Sequence, residues 1–377
     1  MKRWLDKAIL SFIGLTFMVM MAWGSRDLVF TGKNDFAPLY NATHLLGTPH
    51  LYSAEHNFEL LRKHVGGINL SLRYTRLPYH AALFWPLGRL PYQQAYLLWV
   101  LLGFSAIVAF ALLWRIPTPG DAIAFTALSL PAFQSLMNGQ DAPLLLLWIA
   151  LAVHWDRKDR PFLAGCVLSL CAAKYHLFTL LPLLFLAQRR WRMTGGFATG
   201  SAVLLAISFA VAGLQWPVEY YHTLTDSDVH PDVTSMPNLH GLLFGLPAAV
   251  VLQVLASAAV VIAAWQAMKR TSFLNGLAAA LVGGLLLSYH SYLSDCALLL
   301  PAATVIYSQA RSRWLQLICA LLLTPFAYFL LINPRPAPYV MQLIIVGCFA
   351  GAVWQTLRSK VPENSLATAA PVKEAAS

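Results

Sequence analysis

Residues 25–40 read S-R-D-L-V-F-T-G-K-N-D-F-A-P-L-Y and open the longest hydrophilic interval of the chain, which runs from Ser25 to Pro91. Before it stands one apolar run, residues 8–24, and after it come apolar runs with short loops between them. Of the 377 residues, 58% are hydrophobic and 11% are charged, against about 25% charged in ordinary soluble domains. The chain is therefore all-α and polytopic in the membrane, and residues 25–91 form its first outside loop.

Working outward from that loop, the apolar runs fall at residues 8–24, 93–114, 121–137, 142–155, 161–173, 176–188, 194–213, 242–267, 273–289, 296–310, 314–332 and 338–357, about twelve spans. Counted from an inside N-terminus, the basic clusters 2–7, 115, 157–160, 189–192, 269–270, 311–313 and 358–360 all fall in the cytoplasm, as the positive-inside rule asks. The net charge of +10 sits in these short clusters, as topology determinants do, and no nucleic-acid partner is expected. Residues 79–91 must then not span, and Pro78, Pro86 and Pro91 make them a short interfacial or re-entrant piece. The opening M-K-R-W-L-D-K and its apolar run have the form of a signal peptide, but Ala22-Trp23-Gly24 is a mediocre cleavage site and a retained span is expected. Residues 1–360 are expected to form one transmembrane domain, with a disordered cytoplasmic tail over 361–377.

Within the first loop, Asn34 is expected to cap a helix whose first turn holds Asp35 and Pro38. A second amphipathic helix, Ala54 to Val65, puts Phe58, Leu61 and Val65 on one face and Glu55, Glu59 and Lys63 elsewhere. Such helices lie in the interface, beside a hydrophobic substrate and membrane lipids.

Asp35 is the leading candidate for chemistry: a carboxylate at this point is either a general base towards a sugar hydroxyl or a helix-start acid favoured by the macrodipole. Lys174 interrupts an apolar run and asks for an anionic partner such as a phosphate; the alternative is a snorkelling lysine that ends a span. Arg76 is among the few other outward cations, with Lys33, Arg73 and Arg335. Asn138-Gly139-Gln140 is a polar corner that can bind a phosphate or sugar or simply turn the chain. Tyr289, His290 and Asp295 bracket a break between two spans, where His290 pairs with a phosphate or caps a helix end. Asp226-Ser227-Asp228 has the form of a metal-binding D-x-D, but no strand or Rossmann-type unit precedes it, and a solvated loop explains it; no metal or other cofactor is expected. The sequons at Asn41 and Asn69 are read as chance, and the five cysteines as small core hydrophobes. Phosphate-loop, dinucleotide-binding, zincin and hydrolase-elbow motifs do not occur.

The ordered set Asn34-Asp35-Phe36, Tyr40 with Leu45-Leu46-Gly47, Tyr74-x-x-x-Pro78-Tyr79, Trp85-Pro86-Leu87, Asn138-Gly139-Gln140, Lys174-Tyr175, L-L-P-L-L-F-L at 180–186 and R-R-W-R at 189–192 resembles glycosyltransferase family 87. The resemblance runs from about Met1 to Pro301. It implies the GT-C superfold and a membrane mannosyltransferase-like activity that moves a hexose from a polyprenyl-phosphate-sugar donor to a lipid or glycan acceptor, on the outer face of a bacterial inner (plasma) membrane. It also implies Asp35 as catalytic base, acting with inversion, and a donor cavity lined by the corner at 138–140, Lys174, Asn238 and His290. Lys174, His290 and Arg76 would stabilise the departing phosphate, with Asn34, Tyr40, Tyr79, Asn138, Gln140, Asn238, Tyr289 and Asp295 around the cavity. Pro78-Tyr79-His80 departs from the Tyr-Pro-Pro of relatives. A transporter or flippase of a polar lipid or small solute is the alternative class, but it would bring inverted repeats, and the halves of this chain show no similarity.

Overall fold

The computed structural model of the protein describes residues 2–66, 72–226 and 233–358. The sequon at Asn69, the residues Ser227 and Asp228 of the acidic triplet, and the tail from 361 lie outside the described residues. Among those described, every regular element is helical.

The chain opens with α1 (Lys2–Gly24) and α2 (Arg26–Thr31), followed by α3 (Phe36–Leu45) and α4 (Ala54–His64) in the first loop. Ser53 caps α4 by accepting from the His56 amide, and Leu61 and Val65 are buried while Glu55, Glu59 and Lys63 are exposed, as the amphipathic pattern requires. The start of α3 differs from expectation. Asp35, not Asn34, stands at its cap position without a side-chain cap bond, while the Asn34 side chain accepts from the Phe36 amide at 3.1 Å. The prolines of the next segment break it into α5 (Pro78–Leu83) and a 3-10 turn, Trp85–Arg89, so residues 79–91 form no continuous span.

The chain continues through α6 (Tyr92–Trp114), α7 (Pro119–Leu128), α8 (Leu130–Met137), α9 (Ala142–Arg157), α10 (Pro161–Ser169), α11 (Leu181–Ala187), α12 (Trp191–Ala212) and α13 (Trp216–Thr225). Its last third comprises α14 (Leu239–Leu243), α15 (Ala249–Met268), α16 (Phe273–Leu287), α17 (Leu299–Gln309), α18 (Arg313–Leu322) and α19 (Ala337–Arg358). Four helices, α6, α12, α15 and α19, are long and apolar enough to cross a membrane. Two bent pairs, Ala8–Gly24 with Val29–Leu45 and Arg313–Leu322 with Phe326–Ile332, bring the number to six if each is one span.

The other apolar runs are shorter helices, and the breaks have local causes. Run 121–137 divides at Ser129, which caps α8 just ahead of Pro131. After α10 the backbone tightens into a 3-10 segment, Leu170–Leu177, in which Lys174 leaves helical geometry at φ −127° and ψ 55°. That break turns the lysine inward.

Helices α10 and α12 meet almost backbone to backbone. A Cβ at Gly196 would come within 1.9 Å of the Phe162 carbonyl oxygen, and one at Gly165 within 2.1 Å of that of Met193, so small residues permit the approach. Apolar side chains such as Val250, Val254, Leu255 and Ile262 on α15 stay exposed, a surface suited to lipid. The helices form an integral membrane protein. The turns at 32–35, 138–141, 174–176 and 288–295 converge on one cavity.

Candidate active site

The cavity is built from its most local constraint outward. Phe36 is wholly buried, stacked on Trp99 with ring centroids 5.7 Å apart and tilted against Tyr92 and Tyr96. Asn34 donates from its amide to the Tyr96 hydroxyl at 3.1 Å and to the Met137 carbonyl at 3.0 Å. Clamped on both sides, Asp35 has little freedom, and its own backbone N–H donates to the Asn138 carbonyl at 3.0 Å.

The corner after α8 is what it docks against. Gly139 has φ +66°, and a Cβ there would sit 2.6 Å from Asn34 Oδ1 and 2.9 Å from the Phe36 nitrogen. Only glycine allows both the left-handed turn and this approach. Trp99 fixes the corner from the other side by donating to the Gly139 carbonyl at 2.9 Å.

From this corner Gln140 reaches both ways. Its amide donates to Oδ2 of Asp35, and its Oε1 accepts from Lys174 Nζ at 2.8 Å. Lys174 also lies 2.5 Å from Asp295 Oδ1 and 3.2 Å from Asp141 Oδ1. Two of the ammonium's three N–H groups donate to Gln140 and Asp295, and Asp141 is its second ion-pair partner. Asp141 is gripped in turn by Arg76, with Nε 2.8 Å from Oδ2 and Nη2 3.4 Å from Oδ1, while Oδ2 of Asp295 accepts from the Tyr292 amide at 2.9 Å.

This network lines a cavity of about 230 Å³ that also touches Arg73, His80, His176 and His290. One ordered water needs only about 10–15 Å³, so the space admits a sugar-sized group. Burial raises the Asp35 carboxyl above its ordinary value, opposed by the Gln140 amide, Lys174 and Arg76. Burial acts upward on Asp141 as well, yet Arg76, Lys174 and His80 hold it well below the usual carboxylate range. The surroundings thereby push two neighbouring acids in opposite directions, Asp141 down and Asp35 up.

The structure brings Asp35, Arg76, Gln140, Lys174, His290 and Asp295 to the cavity and gives other tasks to the remaining candidates. Asn138 offers its backbone carbonyl to Asp35. Asn34 is a buried brace, and Tyr40 and Tyr79 are core residues whose hydroxyls donate to the Leu90 and Leu170 carbonyls. Asn238 caps α14 and donates to the Ser288 carbonyl at 2.8 Å and Ser291 Oγ at 3.0 Å. It thereby steadies the turn that carries His290. Tyr289 packs against His176, with centroids 5.3 Å apart. Asp226 pairs with Arg73 at 2.5 Å.

Of the carboxylates and imidazoles that line the cavity, three were not assigned to it from the sequence: Asp141, His80 and His176. Asp141 had a signal, an acid directly after the polar corner and ahead of Pro143, but it reads equally as a helix start. Lys174 asked for an anion, and the structure places two carboxylates, Asp141 and Asp295, against it.

The family model for glycosyltransferase family 87 matches residues 74–294, more than half of the 377 residues. The chain belongs to glycosyltransferase family 87. It is a membrane glycosyltransferase, and the cavity is where donor and acceptor sugars are to be sought. The matched region holds the cavity residues from Tyr74 to Tyr292, whereas Asp35 lies ahead of it and Asp295 one residue beyond it. No curated protein and no solved structure matches the chain.

Proposed function

We propose that the protein transfers a hexose, with mannose favoured, from a polyprenyl-phosphate donor to a lipid-linked or envelope acceptor on the outer face of the membrane. Asp35 acts as general base, and the anomeric carbon is inverted. The observation that carries this reading is the Asp35 carboxylate, held by Gln140, in the same cavity as Arg76 and His290. Oδ2 of Asp35 is occupied by Gln140, which leaves Oδ1 to take the acceptor's proton as its oxygen attacks the anomeric carbon. The C–O bond to the phosphate breaks on the opposite face, and the phosphate leaves as an anion.

Lys174 serves this chemistry by position, because it is hydrogen-bonded to Gln140 and Asp295 and ion-paired with Asp141. Arg76 uses Nε and Nη2 on Asp141 and Nη1 on Thr75, and a guanidinium has five N–H groups. Its remaining donors, with His290, face the departing phosphate. A polyprenyl tail needs an entry from the lipid, which the exposed apolar helices around the cavity would provide. The short helices cross as parts of a GT-C bundle of about twelve spans, with neighbours covering their ends. Both termini then face the cytoplasm.

The test is transfer by the purified full chain from polyprenyl-phosphate-[³H]mannose to membrane lipid extract. Labelled product that depends on the enzyme supports the reading. Label transfer only from a nucleotide-activated sugar would contradict it.

A further inference from the structure

A groove of about 340 Å³ lies between α18 and α19 and shares no residue with the cavity described above. Gly347 and Gly351 of α19 line it: a Cβ at the first would lie 3.5 Å from Ile318 Cδ1, and one at the second 2.8 Å from Leu315 Cδ1. Neither glycine supplies one, so the floor stays open. Trp314 and Trp354 line the groove while remaining 76% and 58% exposed. Arg311, just ahead of α18, and Arg358, the last residue of α19, mark its charged end, and the Arg358 guanidinium stacks 3.9 Å over the Trp354 ring. Among the described residues, no carboxylate pairs with Arg311 or Arg358.

The shape and charge of the groove say what fits. Its lining on α19 runs from Gly347 to Arg358, about 16 Å of helix at 1.5 Å per residue, close to the roughly 15 Å of hydrocarbon in one leaflet. Two unpaired cations at one end and apolar walls along the rest complement a molecule with an anionic head and an apolar tail. A free phosphate would use the arginines and leave the apolar length empty, and a zwitterionic head would bring its own cation against them. Tryptophans are enriched at the level of the head groups, and basic pockets between membrane helices hold anionic ones. Ser312, at the cap of α18, lines the groove and makes no side-chain cap bond, so the positive end of that helix adds to the pull on an anion.

We propose that the groove between α18 and α19 binds one anionic phospholipid, with its phosphate between Arg311 and Arg358 and an acyl chain lying over Gly347 and Gly351. The ligand is a lipid of the surrounding bilayer and undergoes no reaction, so the site stands independently of the donor reading above. Loss of the arginines should remove the preference for an anionic head and leave the apolar floor as it is. A large side chain at Gly347 should close the floor and leave the arginines in place.

The experiment is native mass spectrometry of the full-length protein in detergent, titrated with phosphatidylglycerol, phosphatidylcholine or glycerol 3-phosphate, and read as Kd for the first adduct. Wild type, the double variant Arg311→Gln with Arg358→Gln, and Gly347→Leu are compared, each checked by thermal unfolding. Wild type should bind phosphatidylglycerol more tightly than phosphatidylcholine and should not hold glycerol 3-phosphate. The double variant should weaken phosphatidylglycerol by about thirtyfold, the effect of two basic residues at an anionic surface, with phosphatidylcholine unchanged. Gly347→Leu should weaken both lipids, and it decides the matter should the double variant fail to fold. Equal Kd for the two lipids in wild type, a preference that survives the double variant, or tight phosphatidylglycerol binding by Gly347→Leu overturns the proposal. So does glycerol 3-phosphate binding as tightly as the lipid, which would make the groove a free-phosphate site, or a dimer without lipid adducts, which would make it a contact between two copies of the chain.

Discussion

The ammonium of Lys174 lies 2.5 Å from Oδ1 of Asp295, a residue 121 positions further along the chain. Both side chains are nearly excluded from solvent, at 3% and 5% exposure. The same ammonium holds Asp141 and the carbonyl of Gln140, so one buried cation fixes two anions and the amide that touches Asp35.

Removing that cation should be costly. In Lys174→Met, Asp141 keeps Arg76 but Asp295 loses its charge partner, and breaking a buried pair from one side costs about 3–5 kcal/mol. Thermal unfolding in detergent is expected to show a large drop in Tm, and Lys174→Met with Asp295→Asn should recover a good part of it. An unchanged Tm for the single variant would mean the bridge does not hold the cavity together.

Activity should follow the ionisation of Asp35. Burial raises its pKa above that of a free carboxyl, about 3.9, and a base works only when ionised. The rate is therefore lost as pH falls through the raised value, at a higher pH than a free carboxylate would give. Gln140→Leu removes a donor that favours the charged form, so the acid limb of kcat/KM should move to still higher pH. A limb that stays in place would detach Gln140 from the base.

Topology can be read by cysteine labelling. Glu59 and Lys158 are both exposed, and the native cysteines are buried except Cys166, which is partly so. In a Cys166→Ser background, Glu59→Cys should react with an impermeant maleimide added outside, and Lys158→Cys only after permeabilisation. Equal labelling of both from outside would contradict the assigned orientation.

What the sequence disclosed follows from how far apart the interacting residues lie. The amphipathic α4, the prolines that break residues 79–91, and the polar corner at 138–140 are local signals, and all reappear as structure. Lys174 stood out because a charge in an apolar run demands a partner. Its partners did not, because the pairings Arg76 with Asp141 and Lys174 with Asp295 join segments 65 and 121 residues apart, and no local pattern encodes them. His80 was seen only as a break in a motif, and its burial beside Asp141 depends on α5 docking against α12, where the Tyr79 amide donates to Ser208 Oγ at 3.1 Å. The helix count was the least legible, since an apolar run shows hydrophobicity but not an interruption such as the one at Ser129 that divides run 121–137.

The central claim is that Asp35 is the base, and Asp35→Asn tests it most directly. Asparagine is nearly isosteric, and neither the backbone bond to Asn138 nor the Asn34 and Phe36 clamps involve the carboxylate, so the variant should fold and bind polyprenyl phosphate as wild type does. It cannot take the acceptor's proton. Sugar transfer from polyprenyl-phosphate-mannose should fall about 10²–10⁴-fold; a purified, folded Asp35→Asn protein that retained more than about a tenth of the wild-type rate, far above that range, would contradict the assignment.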